Sequence, residues 1–249
     1  MSIYPKLIGR LGNQMFQICC AIGYSKKHNI PYWIPKQSIA EHIWPAFFKH
    51  FPAESMPGTK YIQYKEPSHS YNEIPKYQNI CIEGFFQSEL YFKDYRKDII
   101  DAFQIPYKRL DGFVSIHVRR GDYLEMQHKH PVVTYDYISS AVKHFMELGY
   151  KSFVVCSDDI KWCRQNFKPL ELFGAVFSYS SGHGPIEDLA LMSCCEHNII
   201  SNSSFSWWSA WLNQNPDKIV IAPEVWFGPG NSHLDTKDLL PESWLKMPV

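Results

Sequence analysis

Between Phe113 and Ala222 the chain alternates short apolar runs with stretches of helical period, and this alternation limits its fold more than any other feature. Phe113–Val118, Ser152–Cys156, Ala175–Tyr179, Ile199–Ser201 and Lys218–Ala222 read as strands. Tyr135–Leu148, Asp158–Phe167, Pro185–His197 and Trp207–Leu212 read as helices. Strands that are apolar along their whole length belong to parallel sheets covered on both faces, so the pattern predicts an α/β, doubly wound domain. Ligands of such sheets lie outside the strand carboxyl ends. That rule directs attention to three loops: Arg119–Tyr123, Ser157–Asp159 and Asn202–Ser206.

The N-terminal part has a different texture. Tyr4–Ile8 reads as a strand and Gly9–Gln14 as a glycine turn, followed by Met15, Ile18, Cys19 and Ile22 at helical spacing. Residues 29–80 are rich in Pro, His and Tyr with weak periodicity, and Ser88–Phe103 reads as a second helix with Phe92, Tyr95, Ile99 and Phe103 on one face. A break near Lys108–Gly112 suggests two domains, 1–109 and 110–249.

Composition narrows the function classes. With 45% apolar residues the 249-residue chain can bury a substantial core. Its 25 basic and 25 acidic residues balance, which argues against a nucleic-acid footprint or a polybasic membrane patch. Of the seven cysteines four lie in the adjacent doublets Cys19–Cys20 and Cys194–Cys195, and no CxxC spacing occurs. Reduced, buried thiols are expected, and with them a cytoplasmic protein. No apolar run reaches the ~18 residues of a membrane span, so a soluble chain with no transmembrane segment is expected.

The segment best suited to chemistry is His117-Val118-Arg119-Arg120-Gly121-Asp122-Tyr123. Two arginines leave a strand end beside a glycine, and the guanidinium fork matches phosphate oxygens. Asp122 could orient an arginine or accept a proton. The plain alternative is a surface Arg–Asp pair worth about 0–1 kcal/mol. Asn202-Ser203-Ser204-Phe205-Ser206 places small hydroxyls at a helix start, where unpaired N–H groups favour an anion; ordinary capping is the alternative. Ser157-Asp158-Asp159 could suggest a metal-binding acid pair, but it has no third ligand at metal spacing, so charge matching at a helix start is expected and no metal. These loops together suggest a diphosphate-bearing ligand held without metal.

Six segments in order resemble the α1,2-fucosyltransferases of glycosyltransferase family 11. They are Gly9–Gln17, Glu83–Phe92, His117–Tyr123, Ser157–Trp162, Asp188–Ser193 and Asn202–Trp208. The arginine segment is similar, more distantly, to those of α1,6-fucosyltransferases and protein O-fucosyltransferases. The resemblance implies a GT-B-like fold of two Rossmann-type lobes: an N-terminal acceptor-side lobe and a C-terminal GDP-sugar-binding lobe. It implies inverting, metal-independent transfer of L-fucose from GDP-β-L-fucose, as co-substrate, to the 2-hydroxyl of a terminal galactose, with no further cofactor. Arg119 matches the arginine on the β-phosphate, with Arg120 in support. His117 and Asp188 match positions that contact guanosine, Ser203 and Ser204 the hydroxyls near the diphosphate, and Asn13 and Gln14 the acceptor-side turn. Asp122 is the first choice of general base, with a role in orienting Arg119 or Arg120 as its alternative. Another linkage or acceptor, or a catalytically silent glycan-binding protein on the same scaffold, are the competing readings.

Overall fold

The computed structural model describes residues 1–35, 60–103, 105 and 108–249. Residues 36–59, within the Pro-, His- and Tyr-rich stretch 29–80, lie outside the described residues. The chain divides into two compact units: Met1–Ile105 with Leu234–Pro241, and Pro106–His233 with Glu242–Val249.

Unit 1 carries a parallel sheet of β1 (Ser2–Pro5), β2 (Ile62–Lys65) and β3 (Asn79–Glu83), in the order β1-β3-β2. Pro5 pairs with Ile82 and Lys65 with Glu83, so the three strands end at one edge. β1 ends at Pro5, earlier than the expected Ile8. The following residues turn through Gly9, whose φ of +79° suits glycine, into α1 (Leu11–His28). Gln17 replaces a ladder partner there. It accepts from the Ile8 N–H at 2.9 Å and donates to the Ile8 carbonyl at 3.1 Å. The helix ends on Asn29 in the left-handed region, after Lys26 and Lys27, whose charge matches a helix C-terminus. Cys20, Ala21 and Tyr24 of α1 pack with Ile3, Ile80, Ile82 and Phe86.

The expected helix at Ser88–Phe103 is only half present. Ser88 caps a short 3-10 turn, Glu89–Tyr91, a second turn covers Lys93–Tyr95, and α2 is Arg96–Phe103. Phe92, at φ −152°, interrupts the helical path. Leu234–Pro241 docks on this unit, where the Tyr71 N–H donates to Asp238 Oδ2 at 3.0 Å and Leu239 is buried.

Unit 2 is a six-stranded, all-parallel sheet of β4 (Leu110–Val118), β5 (Ser152–Ser157), β6 (Val176–Tyr179), β7 (Cys195–Ile199), β8 (Val220–Pro223) and β9 (Leu245–Met247). The order is β6-β5-β4-β7-β8-β9. The chain steps outward from β4 in one direction, returns beside β4 as β7, and steps outward in the other. The doubly wound expectation holds, with β9 as a sixth strand beyond the expected five.

Five helices connect the strands: α3 (Tyr135–Glu147), α4 (Ile160–Asn166), α5 (Lys168–Glu171), α6 (Pro185–Cys194) and α7 (Ser204–Leu212). Val114, Ile116 and Val118 of β4 and Phe153 and Val155 of β5 face Ile138, Val142 and Phe145 of α3. On the opposite face Val154 and Cys156 pack with Leu191 and Met192 of α6 and Phe205 of α7. The helix expected to reach His197 stops at Cys194, because Cys195–Ile199 pairs with β4 as a strand. Buried amides secure the junction. Asn198 Nδ2 donates to the Met192 carbonyl at 2.9 Å and Asn213 Nδ2 to the Cys195 carbonyl at 2.8 Å. All seven cysteines are free and buried. Among the described residues no helix is long and apolar enough to cross a membrane.

Candidate active site

In a sheet of this order the strand path reverses between β4 and β7, and such sheets bind their ligands at that point, outside the carboxyl ends. β4 delivers His117, Arg119 and Arg120 to that edge, and β7 delivers Ser201–Ser204.

The Arg119 guanidinium pairs with Asp122 on one side and with Asp158 Oδ2, at 2.7 Å, on the other. Asp158 also accepts the Arg120 backbone N–H at 2.8 Å, so one carboxylate ties two successive residues of the loop. Gly121 permits this approach: a Cβ there would lie 2.5 Å from Asp158 Oδ2. Arg120 Nε reaches Asp159 Oδ2 at 3.2 Å, and its guanidinium lies 4.1 Å from the Trp162 ring centroid. Asp159 caps α4 by accepting the Trp162 N–H at 3.0 Å. The expected helix-start role therefore fits Asp159, while Asp158 grips the arginine loop, a partnership the sequence reading missed. Neighbouring strand ends are the signal that would have found it, since β5 pairs with β4.

At the other side of the reversal, Ser203 begins α7 without a side-chain cap bond. The Ser204, Phe205 and Ser206 N–H groups of the first turn have no intrahelical acceptor. Ser206 Oγ instead accepts from the Ser201 N–H at 3.1 Å. Asn202 Nδ2 donates to the carbonyls of Pro131 (2.8 Å) and Trp226 (3.0 Å), and the Tyr123 hydroxyl donates to the Asn202 carbonyl at 3.2 Å. The arginine loop and the serine turn are thus tied together.

His117 points to the α6/α7 face, with Nδ1 3.0 Å from Ser201 Oγ and its ring 5.3 Å from Phe205. Burial, then the nearby Arg119 charge, push its pKa down to about 3. Its strand partner is Cys156, whose thiol is pushed up by burial and by Asp188. Asp188, in the first turn of α6, accepts from Ser180 Oγ at 2.5 Å. His117, Phe205, Cys156 and Asp188 therefore share one face beside the reversal.

The neutral His117 has a measurable consequence. An unfolded histidine protonates near 6.5, so between about 6.5 and 3 the unfolded chain binds the extra proton and acid lowers stability. Wild-type protein should lose more stability between pH 7 and pH 4 than His117→Gln does, in denaturant titrations at each pH. Equal losses would show that His117 is not held neutral.

Asn13 and Gln14 lie in unit 1 at the start of α1. Asn13 Oδ1 accepts from Gln87 Nε2 at 2.8 Å, and buried Gln14 donates to the Gly9 carbonyl at 3.0 Å. Among the described residues no group of three or more His, Cys, Asp or Glu is placed to hold a metal ion.

The sequence profile described as "Glycosyl transferase family 11" matches residues 35–245, most of the chain. The chain belongs to this family. It is 33% identical over 187 residues to the O-antigen biosynthesis glycosyltransferase WbnK of Escherichia coli, covering 67% of this chain and 60% of that protein. It is 32% identical over 179 residues to an α-1,2-colitosyltransferase of Escherichia coli, covering 66% and 61%. It is 29% identical over 244 residues to galactoside α-(1,2)-fucosyltransferase 2 of Hylobates lar, covering 86% and 70%. The chain thus spans about 60% of the length of the two bacterial relatives. The structure of Arabidopsis thaliana FUT1 mutant R284K in complex with GDP aligns over 96% of this chain and 75% of that one, with a TM-score of 0.57 at 10% identity. That likeness shows the fold, α/β and GT-B-like.

Proposed function

We propose that the chain catalyses inverting transfer of L-fucose from GDP-β-L-fucose to the 2-hydroxyl of a terminal galactose, without a metal ion. The observation that carries the reading is Arg119 at the strand reversal, beside the unpaired N–H groups that open α7. The fucosyl and α1,2 parts are supported by membership of family 11 and by the printed activities of two relatives.

In this reading the acceptor oxygen bonds to the sugar C1 as the C1–O bond to GDP breaks, and the hydroxyl proton leaves to a base. Negative charge builds on the β-phosphate. Arg119, supported by Arg120, and the α7 N-terminus with Ser203 and Ser204 offset that charge. Asp122 and Asp158 take the free rotation out of the Arg119 fork, and N–H groups not used by them remain for the phosphate. His117 and Asp188 contact the guanosine, and Asn13 and Gln14 serve the acceptor side.

Isothermal titration with GDP and a product assay with a galactoside panel, each with and without EDTA, test this. Binding and turnover should be unchanged by EDTA. Activity that vanishes in EDTA and returns with Mn²⁺ would overturn the metal-free clamp, and a product linkage other than α1,2 would overturn the acceptor assignment. The identity to the colitosyltransferase favours one second reading, α1,2 transfer of colitose, so the activated colitose donor belongs in the same assay.

Asp188→Asn checks the base-reading role. A carboxylate can accept from both guanine N1–H and the exocyclic amine, and the amide cannot. GDP affinity should fall with little change in melting temperature. A lower melting temperature with unaltered affinity would assign Asp188 to charge matching at the start of α6 instead.

A further inference from the structure

The carboxyl edge of the unit 1 sheet carries a group of side chains that the reading above leaves unused. Glu66 follows β2 directly, and Gly84-Phe85-Phe86-Gln87 follows β3. Glu66 Oε2 accepts the Phe85 N–H at 2.7 Å and Oε1 the Phe86 N–H at 2.9 Å. Gly84 allows that closeness, since a Cβ there would lie 2.4 Å from Glu66 Cβ. Phe86 takes a left-handed φ of 52°, and its ring is buried against Tyr91. The turn therefore faces its two phenylalanines differently: Phe86 is fully buried, while Phe85 is 38% exposed.

The polar balance at this edge is one of surplus acceptors. Each Glu66 oxygen takes one N–H and keeps a lone pair. Gln87 spends its amide N–H on Asn13 Oδ1, and its buried Oε1 has no hydrogen-bond partner. A polyhydroxyl ligand supplies donors, and an exposed ring beside such acceptors offers an apolar platform for the C–H face of a sugar.

We propose that Phe85 and Glu66 form a monosaccharide subsite, in which a hexose ring face lies on Phe85 and one of its hydroxyls donates to the Glu66 carboxylate. This rests on the reading of the chain as an enzyme with a galactose-terminated acceptor, and it adds two binding residues to Asn13 and Gln14.

The surroundings of Glu66 agree with a carboxylate kept for a ligand. Burial pushes its pKa up to about 7 despite the two backbone N–H donors, and no cation offsets the effect. The titratable groups that feel the Glu66 charge, Cys20 of α1, Tyr64 of β2 and Tyr91, are all pushed upward by burial and stay protonated near neutrality. Nearby, Lys6 is paired with Glu83 at 3.3 Å. Of these described groups, Glu66 alone changes charge in this range.

Calorimetric titration of the full chain with methyl β-D-galactopyranoside, and separately with GDP, tests the subsite. Wild-type affinity for the galactoside should rise from pH 6 to pH 8 as Glu66 ionises. Phe85→Ala should weaken it about tenfold, equivalent to about 1.4 kcal/mol. Phe85→Trp should retain it. Glu66→Gln should weaken it and remove its pH dependence. GDP affinity should be unchanged in all three. Phe85 is exposed, so its truncation leaves folding intact even if Glu66→Gln disturbs the turn. Wild-type galactoside affinity in Phe85→Ala, or in a folded Glu66→Gln, overturns the subsite. So does GDP binding by a wild-type chain that binds no galactoside, which leaves the donor reading standing. Galactoside binding without GDP binding overturns the donor reading instead.

Discussion

Arg119→Ala is expected to lower turnover by about 100–1,000-fold, the usual effect of removing one donor to a developing anion. Arg119 is held between Asp122 and Asp158, so its fork is oriented before any anion arrives. Arg119→Lys should fail almost as badly, because an ammonium cannot bridge two carboxylates and still present a planar donor pair. Arg120→Ala should be milder, since the Arg120 guanidinium is engaged by Asp159 and lies on Trp162. Steady-state kinetics with a melting curve for each variant separates catalysis from stability. Removing Arg119 leaves two acids facing each other, so some loss of stability accompanies the loss of rate. Near-normal turnover by Arg119→Lys would overturn the bidentate role.

The largest loss of stability is expected from Trp207→Ala, about 3–5 kcal/mol by the usual cost of truncating a buried aromatic. Trp207 is fully buried in α7, 5.0 Å from Trp208, 6.1 Å and nearly parallel to Trp211, and 5.4 Å from Trp244. A cavity there loosens the helix whose first turn lies beside the arginine loop. The melting temperature should fall by roughly 10 °C, taking about 2–4 °C per kcal/mol for chains of this size. A fall of under two degrees would mean that the remaining tryptophans close the space.

How far the site could be read from sequence depended on which interactions were local. The strand-end position of Arg119 follows from an apolar run and its flanking residues, and the structure has it, while the helix expected from Trp207 begins earlier, at Ser204, inside the expected polar turn. The grip of Asp158 on Arg119 depends on β5 lying beside β4, which no local pattern states. The end of α6 was misplaced because Cys194, Cys195 and His197 continue a helical period, and pairing with β4 overrides it. Glu66 was missed because it sits in a stretch of weak periodicity, and its character comes from the turn after β3 closing over it.

The docking of Leu234–Pro241 on unit 1 has a consequence for biosynthesis. The strands of unit 1 leave the ribosome early, yet Asp238, which accepts the Tyr71 N–H, and the buried Leu239 belong to its last stretch. At roughly 5–20 residues per second, the nascent chain carries an incomplete first unit for on the order of ten seconds while the second is made. The two units therefore cannot mature strictly in order, and a ribosome-bound chain stalled before residue 234 should present unit 1 to proteases and chaperones in an open form that the finished protein never shows.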